Sequence, residues 1–185
     1  MRLIPTFFTC ALLIYGSSPA IHSQSRQGLM GDLLRDITEV ETKVVGLAKA
    51  LPAKAYEWRP MAGVRSTSET LLHVAADNYF LPAAMGMAPP TETGINAKDY
   101  KTTVAFEKRP LNRDQVIAEV EKSFAFLKSS LSNTPDAKLD APLDVFGQKT
   151  TMRGLWISAA THLHEHLGQL IAYSRSNNVT PPWSK

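Results

Sequence analysis

Cysteine is almost missing from this 185-residue chain: the single one, Cys10, lies in a short apolar leader. Once the leader is removed, no disulfide, cysteine nucleophile or thiolate ligand can form. Any metal site in the mature chain must then use His, Asp or Glu. Runs of like charge are also missing. The 20 basic and 17 acidic residues are interspersed and leave a formal charge of +3, with five histidines counted as neutral. That pattern reads as a solvated surface and excludes a nucleic-acid footprint. No apolar run is long enough to span a bilayer comfortably, and no segment carries a strong strand signal. What remains, 44% hydrophobic and 20% charged residues, is the balance of one globular domain.

The leader has three parts. Met1 and Arg2 are a short positive start. Residues 3–15 are mostly apolar, broken by Pro5 and two threonines. Gly16, Ser17, Ser18, Pro19 and Ala20 are small. This is the layout of a secretory signal peptide. We expect cleavage after Ala20, with a later site near Gln24 as the alternative. Phe7, Phe8 and Thr9 before Cys10 do not fit a lipoprotein signal. The expected mature chain is secreted or periplasmic, with one domain over residues 27–182 and no stable membrane insertion.

Four helical segments follow. In the first, Leu33, Ile37, Val40, Val44, Leu47 and Leu51 recur at steps of three and four, one face of a helix over residues 29–50 ended by Pro52. The second begins at Ser66, whose pairing with Glu69 is a capping box, and stops near Pro82. The third begins after Asn112, again with a capping partner at Gln115. Its stripe is Val116, Val120, Phe124, Leu127 and Leu131. The fourth spans residues 152–176, with Leu155, Ala159, Leu163, Leu167 and Leu170 buried. Residues 85–110 form a long Pro-, Gly- and Thr-rich connection, expected to cover one end of the bundle. Residues 140–150, around Gly147, are either a small hairpin or an extended arm. Asn178-Val179-Thr180 matches a glycosylation sequon, with no other feature supporting it. The predicted fold is all-α: an antiparallel four-helix bundle with a long second-to-third helix connection.

The fourth helix carries the chemistry, in Thr161-His162-Leu163-His164-Glu165-His166. Residues four apart on a helix differ by about 40° in direction, so His162 and His166 stack on one face and can reach one ion. Both lie beside the apolar stripe. His164 is turned by roughly 200° from His162 and is excluded. The zinc-protease motif fails, because Leu163 stands where its glutamate must follow the first histidine. A third ligand must come from another helix, and His73 sits among Leu71, Leu72 and Ala76; His22 lies at the processing boundary. Buried imidazoles need partners for both nitrogens, and three in one bundle are most economically satisfied by an ion. A single inward histidine, by contrast, is usually a hydrogen-bonded core residue. Asp77, one turn after His73, is either a partner orienting that imidazole or a solvated helix carboxylate. Gln169 either lines the site or serves helix packing.

Several segments in order resemble the DinB/YfiT-like family. They are Trp58-Arg59-Pro60 followed by Gly63, then Ser68-Glu69-Thr70-Leu71-Leu72-His73-Val74-Ala75. The closing one is His162-x-x-x-His166-Leu167-Gly168-Gln169-Leu170. The resemblance covers about residues 29–182. It implies a four-helix bundle with a three-histidine metal site whose ligands fall on His73, His162 and His166. It also implies activities such as transfer reactions that use low-molecular-weight thiols. The family's members are mainly intracellular, so secretion is a departure.

Three functions remain open on sequence. The chain could be a metal-dependent enzyme, a thiol-dependent transferase or hydrolase, acting on a small molecule. It could be a non-catalytic secreted metal-binding or stress-related bundle. Or it could be a helical interaction protein with core histidines and an apolar patch at Tyr79, Phe80, Met85 and Met87. Three nitrogens suit Zn²⁺, Ni²⁺ or Fe²⁺, with Zn²⁺ the first expectation. A homodimer is allowed; no stripe is clearly surplus to the core.

Overall fold

The apolar stripes become four long helices in a computed structural model that describes residues 27–184. The expected leader with Cys10, its expected cleavage sites and His22 lie outside the described residues. The helices are α1 (Leu29–Ala50), α2 (Thr67–Ala84), α4 (Arg113–Ser132) and α5 (Met152–Ser176); a short α3 (Lys101–Glu107) lies within the long connection. Strands β1 (Pro142–Val145) and β2 (Gln148–Thr151) form an antiparallel hairpin.

Both capping boxes form. Ser66 accepts from the backbone N–H of Glu69, whose carboxylate accepts from that of Ser66, and Asn112 and Gln115 do the same for α4. The stripes then close into one core, with Ile37, Val44, Leu47, Phe124, Leu127 and Trp156 fully buried. The α2 helix is buried almost all round, as a helix walled in by neighbours must be. Tyr79, Phe80 and Met85 are core residues and Met87 packs against the core, so they form no exposed patch.

Helix directions follow from cross-links. Glu41 pairs with Lys128, and Lys49 with Glu121 at 2.7 Å, so α1 and α4 are antiparallel. His73 meets His162, and the carbonyl of Arg65 meets Tyr173, so α2 and α5 are antiparallel too. In contrast, Tyr79 bonds Glu119 while Met87 reaches Thr134, so α2 and α4 run parallel. The α1 and α2 helices each pack against both α4 and α5, which makes α1 and α2 diagonal.

A parallel α2–α4 pair explains the long connection. The 18 residues of α2 rise about 27 Å, and the chain must return that distance before α4 can start. The connection therefore runs back along the bundle, and does not cover one end. On the way, Tyr100 packs on Phe80, Phe106 on Tyr79, and Glu107 reaches His73. The α3 helix forms where this strap packs on α2.

Residues 140–150 resolve as the hairpin. Its two-residue turn, Phe146-Gly147, has φ of 52° and 85°, the double positive φ that matches the twist of a hairpin. The Asp144 carboxylate accepts from the backbone N–H of Gly147 at 2.7 Å.

Candidate metal centre

The site lies between α2 and α5, with α3 against it. His73 comes from the first half of α2, His162 and His166 from consecutive turns of α5. One ring nitrogen from each lies within 4.8 Å of the others, so this cluster could hold a metal ion. The neighbouring of α2 and α5, which the stripes alone leave open, brings the third histidine in. His73 and His166 are buried, whereas His162 keeps 22% of its side chain exposed. His164 points away as expected and pairs with Asp36 of α1 at 3.0 Å.

The outer nitrogens decide what the inner ones can do. Tyr173 donates its hydroxyl to the carbonyl of Arg65 at 3.1 Å, so its oxygen accepts from Gln169 Nε2 at 2.8 Å. That fixes the amide with Oε1 facing His166 Nδ1, 2.8 Å away. Nδ1 must therefore donate, and the neutral ring presents Nε2 as a bare lone pair. Trp58 packs edge-on against Tyr173, with centroids 5.1 Å apart, and steadies the far end of this chain.

Glu107, the last residue of α3, does the same for His73. Its Oε1 lies 2.7 Å from His73 Nδ1, and Arg65 donates to both of its oxygens at 2.7 and 3.1 Å. Burial pushes the Glu107 carboxyl up, but the hydrogen bonds from His73 and Arg65 and their charges outweigh it and hold it below its ordinary value. An ionised Glu107 accepts the Nδ1 proton of His73 and leaves that Nε2 bare as well. His73 Nε2 lies 3.1 Å from His162 Nε2. A carboxylate or amide on the outer nitrogen is the arrangement that orients metal-binding histidines.

His166 is held neutral. Burial lowers its pKa from 6.5 to about 4, helped by the charges of His162 and His73 and opposed by the bond to Gln169. A neutral imidazole is the form that binds a metal.

Two acidic groups depart from the sequence reading. Asp77 is 8% exposed, so it is no solvated carboxylate. Nor does it orient His73 from behind, because Glu107 holds that nitrogen. Asp77 Oδ2 instead lies on the inner side, 3.1 Å from His162 Nε2 and 3.7 Å from His73 Nε2. Glu107 itself was not among the expected site residues.

A profile of the DinB superfamily matches residues 36–170, well over half of the chain and including all three histidines. The chain belongs to this superfamily. Among solved structures, a DinB-like protein from Bacillus subtilis is 19% identical, with a TM-score of 0.63 over 80% of this chain and 93% of that one. A DinB-like protein from Bacillus cereus is 17% identical, with a TM-score of 0.67 over 83% and 95%. A conserved protein from Enterococcus faecalis is 13% identical, with a TM-score of 0.68 over 81% and 97%. At these identities the likeness shows the shared fold. No curated protein matches the chain at a significant level.

Proposed function

We propose that this DinB-superfamily protein is a divalent-metal enzyme working outside the cytoplasm, with His73, His162 and His166 as its metal ligands. The observation that carries the reading is the fixed polarity of His73 and His166. Glu107 and Gln169 take the outer protons, so two bare Nε2 lone pairs are held toward one point. A set of neutral imidazoles leaves the full charge of Zn²⁺, Ni²⁺ or Fe²⁺ in place; Zn²⁺ is the first expectation. Such an ion lowers the pKa of water or a thiol that reaches it.

The remaining residues support chemistry over a purely structural ion. The four stripes close a full core without help from the site, so the fold does not depend on a metal. His162 is partly exposed, which gives a small molecule access. The reaction class is thiol-dependent transfer or hydrolysis, the small-molecule substrate including a low-molecular-weight thiol in the first case.

The test is an assay panel of thiol-transfer and hydrolysis substrates with metal-loaded protein, metal-free protein and His162→Ala. Activity confined to the loaded wild type, with all three samples equally helical, is expected. Wild-type turnover unaffected by metal removal would overturn the proposal. If His162→Ala instead loses its fold along with the metal, the ion is structural.

A further inference from the structure

We infer that Asp77 is a fourth metal ligand, so that the resting site is three nitrogens and one carboxylate oxygen. The inference rests on the metal reading above and adds a donor to it.

The first observation is which side Asp77 occupies. A carboxylate that orients a metal-binding histidine bonds the nitrogen facing away from the ion; Glu107 fills that role at His73 Nδ1. Asp77 Oδ2 faces the opposite nitrogens, at 3.1 Å from His162 Nε2 and 3.7 Å from His73 Nε2. Donor atoms bound about 2.0–2.2 Å from a common ion lie at about such separations from one another.

The second observation is independent: Asp77 Oδ1 is buried and has no hydrogen-bond partner. With 8% of the residue exposed, water does little for this oxygen. The one proton His162 can place on Nε2 must serve His73 Nε2 and Asp77 Oδ2 alike, and it leaves Oδ1 unmatched. Buried carboxylates are ordinarily paired or bound to a metal. A cation at the convergence of the nitrogens supplies the missing partner.

The two carboxylates differ because the helix sets them apart. Asp77 is one turn beyond His73 on the same face of α2, so its short side chain stays beside the ring's inner edge. Glu107 arrives from α3 and reaches the outer edge. Binding through Asp77 lowers the net charge of a divalent site from +2 to +1. It also bears on the choice of ion. Zn²⁺ with four protein donors is closed as a tetrahedron, whereas an ion that accepts more donors keeps a position for a substrate.

The test is a Co²⁺ titration of chelator-stripped full-length mature protein, read by visible absorption and by competition with a chromophoric chelator. Wild type, Asp77→Asn, Asp77→Ala and His162→Ala are compared, each with a thermal melt in the stripped and loaded states. Both Asp77 variants are expected to bind Co²⁺ at least tenfold more weakly, with a changed visible spectrum. Stripped Asp77→Asn should melt no lower than stripped wild type, while its gain on loading should shrink. Unchanged affinity and spectrum would overturn the inference and leave the three-histidine reading standing. Asp77→Asn melting lower when stripped, with unchanged Co²⁺ affinity, would make Asp77 a structural residue. A wild type that binds no Co²⁺ would overturn both readings.

Discussion

Glu107 and His166 show how single residues prepare the site. Glu107 keeps the proton of His73 on Nδ1 and is itself held ionised by Arg65. Replacing it by glutamine keeps an acceptor but removes the charge and unpairs Arg65. Glu107→Gln should therefore weaken metal binding by about tenfold to a hundredfold, the usual cost of losing such an outer partner. Chelator competition measures it, and unchanged affinity would show that His73 needs no anionic partner. His166 makes a pH prediction for the metal-free protein. Its folded pKa is depressed from 6.5 to about 4, so between these values the unfolded chain binds a proton that the folded one does not. Stability then falls as pH drops from 6.5 toward 4, by up to about 3 kcal/mol from this group. Urea melts of the metal-free protein across that range measure it. His166→Asn should flatten the slope; an identical slope would assign the effect to other groups. At this scale His162 and His166 were legible because a spacing of four on a helix puts side chains on one face, and His73 as the remaining histidine of the expected core, within a segment that resembles the family's. Glu107 was not, because its role depends on a contact 34 residues away.

Secondary elements were legible where the signal is local. Ser66 with Glu69 and Asn112 with Gln115 start α2 and α4 by satisfying backbone donors within one turn, which sequence spacing alone reveals. The Ser66 cap also sets the start of the helix that carries His73. Ser66→Ala should cost about 1 kcal/mol and lower the melting temperature by a few degrees. A melting temperature unchanged from wild type would mean that packing alone fixes this end of α2. The α3 helix was not legible. Its seven residues, Lys-Thr-Thr-Val-Ala-Phe-Glu, include three β-branched ones and are too few for a stable helix in isolation. Burial of Thr103, Phe106 and Glu107 holds it in place. The hairpin was half legible. Gly147 suits the turn, but Phe146 at φ 52° is a residue that local rules disfavour there. It stays exposed and stacks on Phe80, with centroids 5.9 Å apart.

At the scale of the molecule, stripes predict that helices pack but carry no sign for direction. The same four faces fit an up-down bundle and the arrangement found, in which α2 and α4 are parallel and a strap returns between them. The long connection was the sequence's trace of that crossover, and its length has a purpose at the site: only a strap running back along α2 can bring Glu107 to His73. The stripes close the core without the site, so a metal-free protein should keep its helices. The central claim is that the three histidines hold one ion. The direct measurement is elemental analysis of the protein, purified without chelator or affinity histidines, beside His162→Ala/His166→Ala. About one divalent ion per wild-type chain, lost in a variant with unchanged helix content, is the predicted result. No bound metal in the wild type after supply of Zn²⁺, Ni²⁺ and Fe²⁺ would contradict the account and make the histidines core residues.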